Sequence, residues 1–213
     1  GWGMPLNADY KWMGGTSMSN PIAAGAATVV RDYYQKAHSL NAGAALVKAT
    51  SINSAVDMAD ENNDGANDND FPIPNVHGSR QFVENTTGLS TGGSAAHNFN
   101  VGTAGQPFKV TLVWSDYPST EAAALNLVNN LNLVVTAPGG AVYRGNVFSG
   151  GWSTTGGSAD TVNNVENVYV QAAAAGNWSI SVQAANVPNG PQPFALVISG
   201  NATAGPTPTP SNT

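Results

Sequence analysis

Apolar residues recur at two different periods along this chain, and the two periods predict two unlike parts. Helical spacing dominates the first part and predicts two helices. Their apolar faces hold Ile22, Ala26, Val29, Val30, Tyr33 and Tyr34 in the first helix, and Ala45, Ala49, Ile52 and Val56 in the second. Asn20 is the predicted N-cap of the first helix, Pro21 is its predicted first residue, and Asn41-Ala42-Gly43 ends it.

Strict alternation of apolar and polar residues replaces the helical spacing from about residue 86 onward. The apolar positions are Phe108, Val110, Leu112 and Trp114, then Leu131, Leu133 and Val135, then Trp178, Ile180 and Val182, then Phe194, Leu196 and Ile198. Turn signals such as Pro138-Gly139-Gly140 separate these stretches. Seven or eight short strands without an intervening helix predict an antiparallel β-sandwich or jelly roll, with Trp114 and Trp178 in its core.

The composition narrows the class of protein. Hydrophobic residues make up 41% of the 213 residues, which suits a globular chain, but charged residues make up only 9% where about a quarter is usual. A surface built from Asn, Thr, Ser and Gly is typical of secreted proteins, so we expect an extracellular location. The net charge of −6, with seven Lys and Arg, argues against a nucleic-acid partner, and no apolar run reaches membrane-spanning length. The absence of cysteine excludes disulfides and thiolate metal sites.

Ser17 stands in residues 14–21, a stretch rich in small residues that leads into the first predicted helix. Small residues let a substrate backbone approach closely, and a helix N-terminus offers free N–H groups and a partial positive charge. This arrangement suits a nucleophile. A serine nucleophile also needs a base and an orienting carboxylate, so the function depends on whether those groups exist.

Residues 15–21 read Gly-Thr-Ser-Met-Ser-Asn-Pro and match, position for position, the nucleophile motif of the subtilisin-like serine proteases, a family that the chain resembles. Residues 112–116, 127–140, 163–170 and 186–200 are similar to the high-alkaline bacterial members with a C-terminal β-barrel. The resemblance implies an α+β fragment in three parts. These are the helical end of a subtilisin-like α/β catalytic domain (1–84), an antiparallel β-sandwich or jelly-roll domain (85–201) and a Pro/Thr-rich linker (202–213).

The resemblance also implies roles for the motif. Ser17 would form the acyl-enzyme, its backbone N–H would supply half of the oxyanion hole, and Gly15, Thr16, Met18 and Pro21 would complete the motif. In this family the Asp, the His and the oxyanion Asn all precede the serine, whereas the sixteen residues before Ser17 contain no histidine. We therefore expect the C-terminal portion of a secreted endopeptidase that acts on polypeptides. An upstream segment of the same parent protein would supply the missing groups, and the isolated chain would be inactive.

Two other functions stay open at this stage. The first is a stand-alone serine hydrolase or esterase that recruits a local histidine. His38 lies late in the first helix, roughly 30 Å from Ser17 at 1.5 Å per residue, and His97 alternates with Phe99 on a strand, which leaves His77 as the candidate base. The second is a non-catalytic β-sandwich that binds or stabilises, although no row of aromatic residues at strand spacing offers a sugar platform.

Six of the thirteen acidic residues fall within residues 57–70, which read DMADENNDGANDND. The alternate positions of Asp60, Asn62, Asp64 and Asp68, with Gly65 at the sharp turn, follow a calcium-loop pattern. The candidate ligands of this predicted calcium site are Asp60, Asn62, Asp64, Ala66 and Asp68. The twelfth position is Phe71 instead of a bidentate Glu, so a solvated acidic loop is an equally good interpretation.

The β-rich part holds a weaker candidate calcium site, whose candidate ligands are Asp116, Asn129, Asn130, Asn132, Asn163, Asn164 and Glu166. Subtilases similar to this chain bind calcium in this domain and often carry Asp where Asn130 and Asn132 stand. Amides keep the oxygen ligands but remove the charge that attracts a hard cation. A structural role for these amides in closing turns is therefore at least as well supported.

Overall fold

The fold was analysed in a computed structural model, which describes Asn7, Asp9, residues 14–55 and residues 80–205. Contacts between Cα atoms divide the chain into two units, Gly1–Ala42 and Gly43–Thr213. The first unit contains helix α1, and the second contains helix α2 and ten β-strands.

Helix α1 spans Thr16–His38 and begins earlier than the sequence pattern predicts. Gly15 is its N-cap, with φ +135°, so the prediction of Asn20 as N-cap and Pro21 as first residue was wrong. The sequence rule failed because a proline near a helix start is tolerated slightly beyond the first turn, where it removes one hydrogen bond. At the other end Ser39 adopts a left-handed conformation, and its N–H donates to the carbonyl of Tyr34.

Helix α2 spans Ala44–Asn53 and packs against two strands of the second unit, β3 (Phe108–Val113) and β9 (Gln192–Ser199). Of the predicted stripe, Ala49 is fully buried and Ala45 and Ile52 are half-buried, while Val56 falls outside the described residues. The fully buried residues of α2 are Leu46, Ala49, Thr50 and Asn53. The buried face therefore includes two polar side chains, Thr50 and Asn53, and Asn53 donates hydrogen bonds to the underlying strands.

Asn53 fixes the C-terminal end of α2 onto the sheet. Its Nδ2 lies 3.1 Å from Thr111 Oγ1, 3.2 Å from the Val197 carbonyl and 3.4 Å from the Lys109 carbonyl. A buried amide that donates to two strands holds the helix in one register, because sliding it would leave those polar atoms unpaired.

Glu84, on strand β1 (Gln81–Leu89), binds the N-terminal end of α2. Its Oε1 accepts the backbone N–H of Gly43, the N-cap residue, at 2.7 Å. A Cβ on residue 43 would lie only 2.7 Å from the same oxygen, so a larger residue there would displace the carboxylate from this position. The carboxylate thus satisfies a helix-terminal donor that no side chain of α2 itself reaches.

We expect Glu84→Ala to lower the free energy of unfolding by about 1–2 kcal/mol, since it removes both the acceptor and the negative charge at the helix N-terminus. Glu84→Gln keeps an acceptor oxygen and should cost about half as much. Urea unfolding of the two variants beside the parent measures this. Equal stability of Glu84→Ala and the parent would contradict the capping role.

Two antiparallel sheets make up the rest of the second unit. Their strands are β1 (Gln81–Leu89), β2 (Ser94–Val101), β3 (Phe108–Val113), β4 (Asn130–Thr136), β5 (Val142–Ser149), β6 (Trp152–Thr155), β7 (Val165–Val170), β8 (Gly176–Asn186), β9 (Gln192–Ser199) and β10 (Ala202–Ala204). The strand order is β1-β9-β3-β7 in one sheet and β10-β2-β8-β4-β5-β6 in the other. The antiparallel sheets were predicted from the alternation; jelly-roll connectivity stays a prediction.

One hydrophobic core lies between the two sheets, and the alternating positions fill it as predicted. Trp114 and Trp178 are fully buried, and their indole N–H groups donate to the carbonyls of Asn129 and Ala174, both at 2.9 Å. On β3 and β9 the intervening positions are buried as well, because α2 covers the outer face of these strands. Residues 202–204, which were placed in the linker, pair with β2 as strand β10.

Candidate active site and cation site

Ser17 is the second residue of α1 and is exposed to solvent. The helix starts abruptly because Gly15 has a backbone conformation that other residues rarely adopt. The Gly15 carbonyl accepts the N–H groups of Met18 and Ser19, both at 3.0 Å. The N–H groups of Thr16 and Ser17 precede these first helical bonds and carry the positive end of the helix dipole.

Pro21 stands four residues after Ser17 and lies inside α1. A proline has no N–H, so the helical bond that would end on the Ser17 carbonyl is missing. The next hydroxyl in the turn behaves differently from Ser17, because Ser19 Oγ donates to the Gly15 carbonyl at 3.1 Å. Both serines are exposed, but the Ser19 hydroxyl is bonded within the turn, whereas no bond of that kind is seen for the Ser17 hydroxyl in the described part of the chain.

Two of the three histidines, His38 and His97, lie in the described residues. His38 lies in the last turn of α1, at the opposite end from Ser17, with its ring 5.5 Å and 5.8 Å from the rings of Tyr33 and Tyr34. His97 is on β2, where burial lowers its pKa and its Nε2 has no hydrogen-bond partner in the part of the chain that the structure describes. His77 falls outside the described residues.

The exposed serine at the helix start agrees with the comparison of the sequence with protein families. Residues 3–104 match the Subtilase family. The subtilase match spans α1, α2, β1 and β2, and it contains the whole motif from Gly15 to Pro21. It confirms the predicted resemblance at the level of the family, whereas the type of the C-terminal domain stays a prediction.

Curated relatives of the subtilase segment come from Dictyostelium discoideum. The serine protease/ABC transporter B family protein tagB is 40% identical over 95 residues, which is 42% of this chain and 5% of that protein. The protein tagA of the same description is 28% identical over 216 residues, covering 87% of this chain and 12% of that protein. The chain thus spans a small part of the length of these relatives.

Among solved structures, the lipase BlEst2 from Bacillus licheniformis in its propeptide form aligns with a TM-score of 0.36 and 16% identity. The alignment covers 64% of this chain and 24% of the lipase. At this score the likeness says nothing about fold or activity.

Three of the weaker calcium candidates share an unusual property. Asn130 Oδ1, Asn132 Oδ1 and Glu166 Oε1 are buried side-chain oxygens that accept no hydrogen bond in the described part of the chain. Asn130 and Asn132 alternate with buried leucines on β4, and Glu166 reaches the same strand from β7, where its Oε2 accepts the Leu133 N–H at 2.6 Å. Buried oxygens without donors are rare, and oxygen is the ligand of hard cations.

Burial dominates the electrostatics of Glu166. The residue is 1% exposed, and burial raises the pKa of its carboxyl to about 8 against the opposing effect of the Leu133 N–H, with a further rise from nearby Asp160. Burial also opposes ionisation of Asp160, but four hydrogen bonds from Asn146, Asn163 and Val162 outweigh it and lower that pKa. Within residues 14–55 and 80–205, no positive group is among the causes of this shift, and a bound cation would supply one.

Asn146 explains how Glu166 reaches β4. β5 pairs with β4 only as far as Arg144, and Asn146 then turns away with φ +59°. The Asn146 side chain bonds to β7 as a peptide group would: its Oδ1 accepts the Asn167 N–H at 2.9 Å and its Nδ2 donates to the Val165 carbonyl at 2.8 Å. The sequence analysis missed this residue, although a glycine followed by asparagine within a strand pattern is a signal for an irregular strand.

Asp116 and Asn129 have a different role from the one predicted for a ligand. Asp116 accepts the backbone N–H groups of Tyr117, Val128 and Asn129 at 2.7–2.8 Å, which closes the loop between β3 and β4. Asn129 pairs with both backbone groups of Asn189. These amides and this carboxylate stabilise loops, in line with the structural alternative.

The stronger calcium candidate, residues 60–68, falls outside the described residues. Within residues 14–55 and 80–205, no group of three or more His, Cys, Asp or Glu side chains is arranged to hold a metal ion. A cation at Asn130, Asn132 and Glu166 would therefore have one carboxylate and two amides.

Helices α1 and α2 are also too short or too polar to span a membrane.

Gly145 is required by the packing of Glu166. A Cβ on residue 145 would overlap the Glu166 side chain, with Glu166 Cβ only 2.6 Å away. We expect Gly145→Ala to lower the free energy of unfolding by about 2–3 kcal/mol, since it displaces the buried carboxyl. Gly139→Ala, where the added Cβ meets nothing within 4 Å, is the control for thermal unfolding. Equal losses in the two variants would contradict this packing.

Proposed function

We propose that this chain is the nucleophile-bearing and C-terminal portion of a subtilisin-like serine endopeptidase. The observation that carries the proposal is the exposed Ser17 in the first turn of α1, within a segment that matches the Subtilase family. The names of the curated relatives include serine proteases, which favours peptide-bond hydrolysis over other serine chemistry. The sparse charge of the chain favours a secreted enzyme.

In the proposed reaction the Ser17 hydroxyl attacks the carbonyl carbon of the scissile peptide bond. A histidine takes the hydroxyl proton and returns it to the leaving amine, and water then hydrolyses the acyl-enzyme. The free N–H of Ser17 donates to the oxyanion as it forms. We infer that the histidine, its aspartate and the oxyanion asparagine come from another segment of the parent protein. His38 does not serve as the base, since it lies about 30 Å along the helix from Ser17.

A fluorophosphonate probe, which labels activated serines, tests whether Ser17 depends on groups supplied by another segment. We expect no labelling of the isolated chain above that of Ser17→Ala, and labelling at Ser17 when the polypeptide segment that carries the histidine and aspartate is present. Peptide mapping by mass spectrometry identifies the labelled serine. Labelling of the isolated chain, abolished by His77→Ala, would overturn the proposal in favour of a stand-alone hydrolase.

We further propose that calcium binds at Asn130, Asn132 and Glu166 and stabilises the two-sheet unit. The three unpaired buried oxygens support this site. Calorimetric titration of the chain with calcium should give one binding event that Glu166→Gln weakens at least tenfold and Asp64→Ala leaves intact. If Asp64→Ala removes that event and Glu166→Gln does not, the site lies in the acidic loop instead.

A further inference from the structure

A recess of about 230 Å³ lies in the second unit, between the loop that joins β3 to β4 and the segment that precedes β7. Its wall includes Asp116 and Tyr117 on one side and Val162, Asn163 and Asn164 on the other. Both sides are held firmly. Asp116 closes the loop through three backbone N–H groups, and Asp160 accepts the backbone N–H groups of Val162 and Asn163. The recess is therefore present before any ligand arrives.

The polar atoms of the recess are arranged as acceptors. Asn163 Nδ2 donates to Asp160 Oδ2 at 2.7 Å, and Asn164 Nδ2 donates to the Trp114 carbonyl at 3.1 Å. Each bond engages one of the two N–H groups of its amide, and within the described residues no donor reaches either Oδ1, so both oxygens remain acceptors. The lining contains the Asp116 carboxylate and no Lys or Arg. A ligand that suits this wall must supply hydrogen-bond donors and positive charge.

The rim of the recess is apolar and exposed. Tyr117 is 54% exposed and Val162 is 61% exposed, and both line the recess. Large exposed apolar side chains close together mark interaction sites more often than scattered ones do. An aromatic ring beside a carboxylate and amide oxygens suits a cation carried on an apolar stem, because the ring face attracts the cation and the stem covers the rim.

We propose that this recess binds an arginine side chain of a polypeptide partner. The guanidinium group donates to the Asn163 and Asn164 oxygens and stacks on Tyr117, while its methylene stem packs on Val162. A neutral sugar fits less well, since it leaves the negative charge of Asp116 without a positive partner. A metal ion fits less well too, because the Asp116 oxygens already accept N–H groups. The recess shares no residue with the motif around Ser17, and its ligand extends the proposed function by a second contact with a polypeptide.

Binding of two matched peptides to the whole chain tests the proposal. The probes are acetyl-Gly-Arg-Gly-amide and its citrulline analogue, which has the same shape without the charge. NMR titration should shift the resonances of Tyr117, Asn163 and Asn164, and the arginine peptide should bind at least tenfold more tightly than the citrulline peptide. Tyr117→Ser should weaken arginine binding about threefold to tenfold, whereas Phe148→Ser, a change at another exposed aromatic, should not.

Circular dichroism of Tyr117→Ser establishes that the loop variant is folded, so that lost binding reports on the recess. Equal affinities for the two peptides, or shifts that map away from Asn163 and Asn164, would overturn the proposal. So would calcium chloride alone if it produced the same shifts, since the recess would then be a metal site. Ser17→Ala should bind the arginine peptide as tightly as the parent does, so the binding result does not depend on whether the proposed protease function is correct.

Discussion

Peptide hydrolysis by the complete enzyme should fall by about four to six orders of magnitude when Ser17 is replaced by alanine. The expected loss is this large because the hydroxyl forms the covalent intermediate, and the remaining groups stabilise only the oxyanion and the bound substrate. Initial rates on a chromogenic peptide amide measure it. The assay uses the polypeptide that supplies the histidine and aspartate, since the isolated chain is expected to be inactive.

Ser19→Ala provides the matched control. Ser19 lies in the same turn of α1, and its hydroxyl is bonded to the Gly15 carbonyl, so this change should alter the rate by less than about threefold. Both variants remove one hydroxyl from an exposed position, and their stabilities should therefore be similar. A Ser19→Ala enzyme that loses as much activity as Ser17→Ala would show that the motif acts through the shape of the turn and not through a nucleophile.

Raising the pH should destabilise the two-sheet unit through Glu166 when calcium is absent. The pKa of this carboxyl is raised from 4.5 to about 8 in the folded chain, so the protonated form is the one that the fold stabilises. Its contribution is complete below pH 4.5, falls by about 1.4 kcal/mol per pH unit, and is gone above pH 8. The total loss is at most about 5 kcal/mol, which is a large share of the stability of a domain.

Urea unfolding in EDTA at pH 5 and pH 9, for the parent and for Glu166→Gln, isolates this effect because other titrating groups cancel in the difference. Parallel pH profiles for the two chains would contradict the assignment to Glu166. Calcium should reverse the trend, because it binds the carboxylate and not the acid. The stabilisation by calcium should therefore grow as the pH rises toward 8. Equal stabilisation at both pH values would exclude Glu166 as a ligand.

The sheets were predictable from the sequence because burial on one face leaves a period of two in the chain. Trp178 shows this clearly, since it stands between Asn177 and Ser179 and is fully buried, and Trp114 continues the period of two of Val110 and Leu112. The motif around Ser17 was predictable for another reason, namely that its residue types and spacing are specific. The start of α1 at Thr16 was not, because the effect of Pro21 depends on a single hydrogen bond.

Polar contacts between residues far apart in the sequence could not be predicted from the sequence pattern. Nothing local indicates that Glu84 caps a helix 41 residues away or that Asn53 donates to two strands. The candidate cation site was identified only as a set of residue types. The structure separated Asp116, which closes a loop, from Asn130 and Glu166, whose oxygens are left without donors, and that distinction depends on the partners each atom finds.

The side-chain amides of Asn129 and Asn146 have a consequence for how this fold can change over evolution. Each joins two segments through the pair of bonds that a backbone peptide group would make. A backbone group is present whatever residue occupies the position, so no substitution removes it except proline. A carboxamide depends on a single codon. These two junctions can therefore be lost, charged or lengthened by one mutation each, while the strands on either side keep their sequence.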